Sequence, residues 1–144
     1  MDRSLLLVSI AGERAAVASE IIRSVVELEA ITPVPRSPEH IAGLAALRSR
    51  AMTVVDCRGS LELPAAEAGA LLAVVVELEE FLYALLVDAV EEVVPFDGEP
   101  SEIRADLLPG WARAALGMVE TTAGPALVLD PAKLIEGPAK RKAA

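Results

Sequence analysis

Hydrophobic positions in this chain fall in short blocks separated by charged or turn-forming residues. Leu5–Ile10 is an apolar run, Gly12-Glu13 supplies a turn and Arg14–Ala18 returns, which is the pattern of a β-hairpin. Ser19 can cap a brief helical stretch through Arg23, with Glu20 in its first turn, and the β-branched pair Val25-Val26 reads as strand. Ile31-Thr32-Pro33-Val34-Pro35 is extended, because each proline fixes its own φ and pushes its predecessor away from helix. Ser37-Pro38-Glu39 sets a capping hydroxyl before a proline and an acid, predicting one helical turn that Gly43 ends.

Leu44–Leu47 and Ala51–Val55 form the arms of a second hairpin, broken by Arg48-Ser49-Arg50 with the turn near Ser49. Pro64 to Gly69 is a small-residue loop. Leu71–Leu78 and Phe81–Val87 flank Glu79-Glu80; helix competes for both runs, but the three valines at 74–76 and the similar texture of Val90–Val94 favour strand. A polar loop from Asp97 to Arg104 leads to Leu107-Leu108-Pro109-Gly110-Trp111, and Gly117–Thr122 and Ala126–Leu129 make a last hairpin around Ala123-Gly124. Asp130 caps a helix over Ala132–Glu136 with Pro131 at its first position; Gly137-Pro138 stops it, and Lys140-Arg141-Lys142 lie in a basic tail. The sum is roughly nine or ten short strands with small helices, an all-β architecture.

Composition narrows the function classes. A chain of 144 residues with 53% hydrophobic and 24% charged residues is globular and long enough for one domain. Its net charge of −9 repels phosphate backbones and anionic lipid, so no nucleic acid and no direct membrane insertion are expected. The longest apolar stretches are separated by Glu77, Glu79 and Glu80, short of the roughly 20 residues a bilayer needs. A cytoplasmic location is expected. One cysteine allows no internal disulfide, and one histidine offers no metal cluster, so no metal is expected.

Residues suited to catalysis are few. Cys57 precedes Arg58, which could lower a thiol pKa, but a small buried hydrophobe in a barrel wall explains it better. His40 lies in the predicted surface turn with no second ligand beside it, and Glu77, Glu79 and Glu80 read as a solvated hairpin tip. The glycines are scattered singly, so no phosphate loop exists, and aromatic residues at 3% are too few to stack bases. The residues argue for a rigid binding surface rather than an enzyme, with a small hydrolase or thiol enzyme using Cys57 as the distant alternative.

The order of motifs resembles the CheW-like family of bacterial chemotaxis coupling proteins over nearly the whole chain. Leu6-Leu7-Val8-Ser9-Ile10-Ala11-Gly12-Glu13 is similar to the family's first strand and turn, and Ile31-Thr32-Pro33-Val34-Pro35-Arg36-Ser37-Pro38 to its proline-rich link. Ile41 to Arg48 followed by Val54-Val55-Asp56-Cys57-Arg58 resembles its central hairpin. Leu86 to Val93 resembles its valine-rich strand pair. Leu116 to Glu120, Ala126 to Asp130 and Leu134-Ile135 resemble its closing hairpin and helix.

The resemblance implies two small SH3-like β-barrels packed together in a single domain over 1–137, with a basic tail over 138–144. It implies no catalytic activity and no cofactor, and a scaffold that links a CheA-type histidine kinase to the cytoplasmic tip of a methyl-accepting chemoreceptor. A divergent module that binds a kinase or response regulator without a receptor is the nearer alternative. By position, the partner-binding groove would involve Ile22, Ser24, Val25, Leu47, Arg48, Leu72, Val90 and Val93. Aliphatic side chains would accept an amphipathic receptor helix, and Arg48 would pair with a carboxylate at the rim. The chain departs from the family pattern at Ser24, where glutamate is common, at Ser49, where the turn carries glycine, at Thr53, where proline is usual, and at Ala15, where an aromatic is frequent.

Overall fold

The structure, a computed structural model, describes residues 3–66, 71–96, 98–103 and 106–138. The basic tail from 139 onward and residues 67–69 of the predicted small-residue loop lie outside the described residues.

Every predicted hairpin forms. β1 (Ser4–Ile10) pairs with β2 (Glu13–Ala18), β4 (Ile41–Leu47) with β5 (Arg50–Asp56), β6 (Leu72–Leu78) with β7 (Phe81–Leu86), and β9 (Ala115–Thr121) with β10 (Gly124–Leu129). β3 (Ile22–Glu27) and β8 (Ala89–Pro95) complete two five-stranded sheets, ordered β8-β1-β2-β10-β9 and β3-β6-β7-β5-β4. The β2–β10 and β5–β7 pairs are parallel, and the remaining pairs are antiparallel.

The inner strands β1, β6, β7 and β10 are apolar on both faces, and the sheets use both. Leu5, Leu7, Ala16, Val119, Ala126 and Val128 fill the inside of the first barrel; Met52, Val54, Ala73, Val75, Leu82 and Ala84 fill the second. The alternate residues Leu6, Val8, Ile10, Val55, Val74, Val76, Leu85, Leu127 and Leu129 meet in a third cluster between the two barrels. An antiparallel sheet with one wet face would alternate apolar and polar. Here period-two alternation sends successive apolar side chains to two different cores, so the runs read as continuous.

Three short helices border the central layer. α1 (Cys57–Ser60) starts where the Asp56 side chain accepts a hydrogen bond from the Arg58 N–H, and α2 (Pro109–Ala114) sends Trp111 and Ala114 into the layer. Neither was expected from the sequence. Four- and six-residue helices are too short to show a helical period, and α2 has no side-chain cap to mark its start. α3 (Pro131–Glu136) begins as expected, with Asp130 accepting from the Ala132 N–H. Beyond the cap bond from the Gly137 N–H to Lys133 O, its last carbonyls are held by side chains from elsewhere in the chain. Arg113 donates to Lys133 O at 2.6 Å, Ser60 Oγ to Leu134 O at 2.7 Å, and His40 Nε2 to Ile135 O at 2.8 Å.

Several local expectations change. Ser37-Pro38-Glu39 forms turns rather than a helical turn, because the Ser37 hydroxyl and N–H both bond back to Val34 O instead of capping forward. Gly43 ends no helix. It sits inside β4 with φ +147° at a bulge, where a Cβ would strike the Thr32 carbonyl. The helix expected from Ser19 is one 3-10 turn, Ser19–Ile21, because the Ser19 hydroxyl bonds to the Ser4 residue instead of capping. His40 is buried, held between α1 and α3, and does not lie on a surface turn. Glu77 is a β6 residue rather than part of the hairpin tip, which is Glu79-Glu80 at positive φ.

Leu129 is 1% exposed at the centre of the shared layer. Truncation there opens a cavity as well as losing burial, so Leu129→Ala is expected to lower stability by about 2–5 kcal/mol. Denaturant unfolding would show this as a lower midpoint at unchanged slope; a loss below about 1 kcal/mol would show that the layer collapses to fill the gap.

Candidate functional site

The eight residues expected to face a partner fall on two surfaces. The register sets Ile22 opposite Val76, Val25 opposite Val74 and Glu27 opposite Leu72. Ile22, Val25 and Leu72 therefore share the sheet face that carries Val74 and Val76 into the central layer. In the other sheet Val90 pairs with Val8 and Val93 with Leu6, again on the central-layer face. β3 and β8 are both edge strands. Toward these edges the layer runs out to solvent: Ile22, Leu72 and Val90 are half-buried against it, whereas Val25 is 42% and Val93 57% exposed. These five residues border the seam between the barrels.

Ser24, Leu47 and Arg48 lie elsewhere, at an open end of the second barrel. They line a cleft of about 290 Å³ together with Arg23, Arg50, Glu77 and Leu82. Arg48 and Ser49 make the two-residue β4–β5 turn with φ 50° and 73°, the signs of a type I′ hairpin turn. The turn sets exposed Arg48 at the rim of the cleft. Glu77 Oε1 lies 3.4 Å from Arg23 Nε and 3.8 Å from Arg50 Nη1, so one carboxylate is shared by two guanidiniums. The sequence shows Arg48-Ser49-Arg50 as a charged triplet, but Arg23 joins it only through the β3–β6 pairing.

A third cluster fastens the barrels to each other. Arg58 of α1 donates to Asp88 at 2.6 and 3.2 Å, and Asp88 also accepts from the Ala11 N–H at 2.7 Å. The Arg58 hydrogen bond is the main reason the Asp88 carboxyl titrates below its ordinary range, with the Ala11 N–H acting in the same direction against partial burial. Cys57 is fully buried; burial first, then the neighbouring charges of Asp56 and Asp88, push its thiol pKa up. A catalytic thiolate needs the opposite shift and access to substrate. His40 gives its ring nitrogen to α3, and Arg113 donates to Ser60 and α3, so the polar groups near Cys57 serve packing.

Comparison with known proteins agrees with this arrangement. A family model described as the CheW-like domain matches residues 4–139. This chain belongs to the CheW-like domain family. The solved structure of the scaffolding protein TtCheW from Thermoanaerobacter tengcongensis is similar, with a TM-score of 0.77 and 24% identity over 90% of each chain. Its likeness confirms the fold as two SH3-like barrels. No curated protein matches. No helix among the described residues is long and apolar enough to cross a membrane.

Two measurements probe this chemistry. Asp88 has a folded pKa below its unfolded value near 3.9, so its pairing stabilises the fold above about pH 4 and is lost as pH falls through the folded value. Asp88→Asn is expected to lower Tm at neutral pH and to flatten the fall of Tm below about pH 4; an unchanged acid limb would show that Asp88 carries none of it. For Ser49, relief of left-handed strain of about 1–2 kcal/mol outweighs the roughly 0.5–1 kcal/mol entropy cost of glycine. Ser49→Gly is therefore expected to raise Tm by a few degrees, and a drop would show that the serine side chain supports the turn.

Proposed function

We propose that this protein is a non-enzymatic adaptor in bacterial chemotaxis signal transduction, coupling a CheA-type histidine kinase to the cytoplasmic tip of a chemoreceptor. The observation that carries this reading is the CheW-like family match across residues 4–139. The scaffolding role of TtCheW points the same way. The residues support it: the seam exposes valines on the edge strands of both sheets, and the one thiol is buried and held protonated. The working unit is a single domain over 1–137 with a basic tail over 138–144, located in the cytoplasm.

Physically, an adaptor needs pre-formed surfaces that lose little entropy on binding. Ile22, Val25, Leu72, Val90 and Val93 offer an apolar strip to one face of an amphipathic receptor helix. Ser24, Leu47 and Arg48 add a polar contact at the end of the second barrel, where the Arg48 guanidinium can take a carboxylate in two hydrogen bonds. Serine at 24, where glutamate is common in the family, leaves that contact less acidic. This observation favours the second reading, a module that binds a kinase or response regulator and captures no receptor.

Co-purification with the cognate kinase and a receptor fragment tests the proposal. Capture of both is expected; capture of the kinase alone selects the second reading, and capture of neither leaves only the fold. Arg48→Ala is expected to weaken receptor capture about tenfold, the size of one charge-assisted hydrogen bond, with Tm nearly unchanged. A large fall in Tm would show instead that Arg48 is a structural residue.

A further inference from the structure

The second barrel is not closed. Its sheet ends in β3 on one side and β4 on the other, and both strands contribute to the same interior through Val26, Ala45 and Leu47. Between them runs a slot. One part, about 420 Å³, is lined by residues 26–30 and by Ala45, Ala46 and Leu47; the arginine-lined cleft continues it past Leu47.

Backbone groups on both sides of the slot are free to pair. Leu44 exchanges two 2.8 Å hydrogen bonds with Thr32 across the outer edge of β4. Antiparallel pairing alternates in direction, so Ala46, two residues on, turns its N–H and C=O to that same edge. On β3 the Leu28 N–H bonds to Leu71 O on the β6 side, so Val25 and Glu27 turn theirs outward. Among the described residues, Val25, Glu27 and Ala46 have no backbone partner on these edges.

The slot is also polarised. At one end Arg23, Arg48 and Arg50 surround the single carboxylate of Glu77; at the other stand Glu27 and Glu29. The two Glu77 contacts, 3.4 and 3.8 Å, are longer than the 2.7–2.9 Å of a strong charge-assisted hydrogen bond. The guanidiniums thus have donors to spare for an incoming carboxylate.

We propose that this slot takes an extended segment of a partner protein, which adds a strand between β3 and β4 and closes the second barrel. The segment pairs through its backbone with Val25 and Glu27 on one side and Ala46 on the other. Its inward side chains are apolar, over Val26, Ala45 and Leu47. It carries a carboxylate at the arginine end and a cation at the Glu27–Glu29 end. From Arg23 to Glu29 the slot runs roughly 20 Å, the length of about six extended residues. A nucleic-acid strand fits poorly, since it would meet Glu27, Glu29 and Glu77 on a chain of net charge −9. This inference goes beyond the adaptor reading: the slot lies apart from the seam between the barrels and shares with that reading only the contact at Ser24, Leu47 and Arg48.

The test uses the isotopically labelled full chain and a synthetic peptide of two aspartates, an alternating Val-Thr-Val middle and two lysines. Comparators carry proline at the central threonine, which removes a ladder donor, or asparagine and glutamine in place of the charged residues. Binding is expected to shift the amide signals of Val25, Glu27 and Ala46 and to slow their exchange with deuterium. Both comparators, and the Arg23→Ala/Arg48→Ala double variant at unchanged Tm, are expected to bind at least about tenfold more weakly. The proposal is overturned by shifts centred on Val90 and Val93, by equal binding of the proline peptide, or by no response at millimolar peptide.

Discussion

The apolar layer between the barrels is the constraint on which the rest depends. Neither sheet is buried on both faces within its own barrel; each becomes so only by lying against the other. A sheet that kept Val74, Val76, Leu127 and Leu129 in water would forgo roughly 1.5–3 kcal/mol for each side chain left exposed. The two barrels thus share one apolar layer. The same geometry explains the seam: a layer between two curled sheets must end at their edges, and there it leaves Val25 and Val93 uncovered.

Polar contacts fix the alignment that the apolar layer leaves loose. Hydrophobic packing is non-directional, whereas the Arg58–Asp88 pair and the Asp88 bond to Ala11 N each demand one position. The clamp joins α1, just after β5, to the β1–β2 turn and the start of β8, hence one barrel to the other. At the opposite side of α1, Ser60, Arg113 and His40 take three successive carbonyls from the last turn of α3. Those bonds explain why histidine, serine and arginine, residue types that suggest chemistry in a sequence, are occupied here with holding a helix end.

The two exposed surfaces differ in character because they differ in origin. The seam is apolar, being the margin of a core. The barrel end is charged, because a hairpin turn and the start of an edge strand bring arginines around Glu77. Surface ion pairs of this length contribute little to stability, about 0–1 kcal/mol, so the arrangement carries little cost if a partner rearranges it. The rigid frame and the lightly committed surface suit a protein whose work is docking.

Strand positions were legible from the chain because valine-rich runs and two-residue turns are local signals, and so was the last helix, with Asp130 and Pro131 at its start. The family resemblance was likewise legible, because it rests on motifs in order along the chain. Competing partners hid other features: Ser37 and Ser19 are good caps by type, yet Ser37 bonds back to Val34 three residues earlier and Ser19 to Ser4 at the start of β1. The sequence by itself determined which runs could be strand. Only the tertiary structure decided which core each face entered, that Ser24, Leu47 and Arg48 stand apart from the seam, and that Arg23 joins Arg48 and Arg50. Those outcomes depend on the pairing of β3 with β6 and on the register of β8 against β1, contacts between segments far apart in the chain that no local pattern encodes.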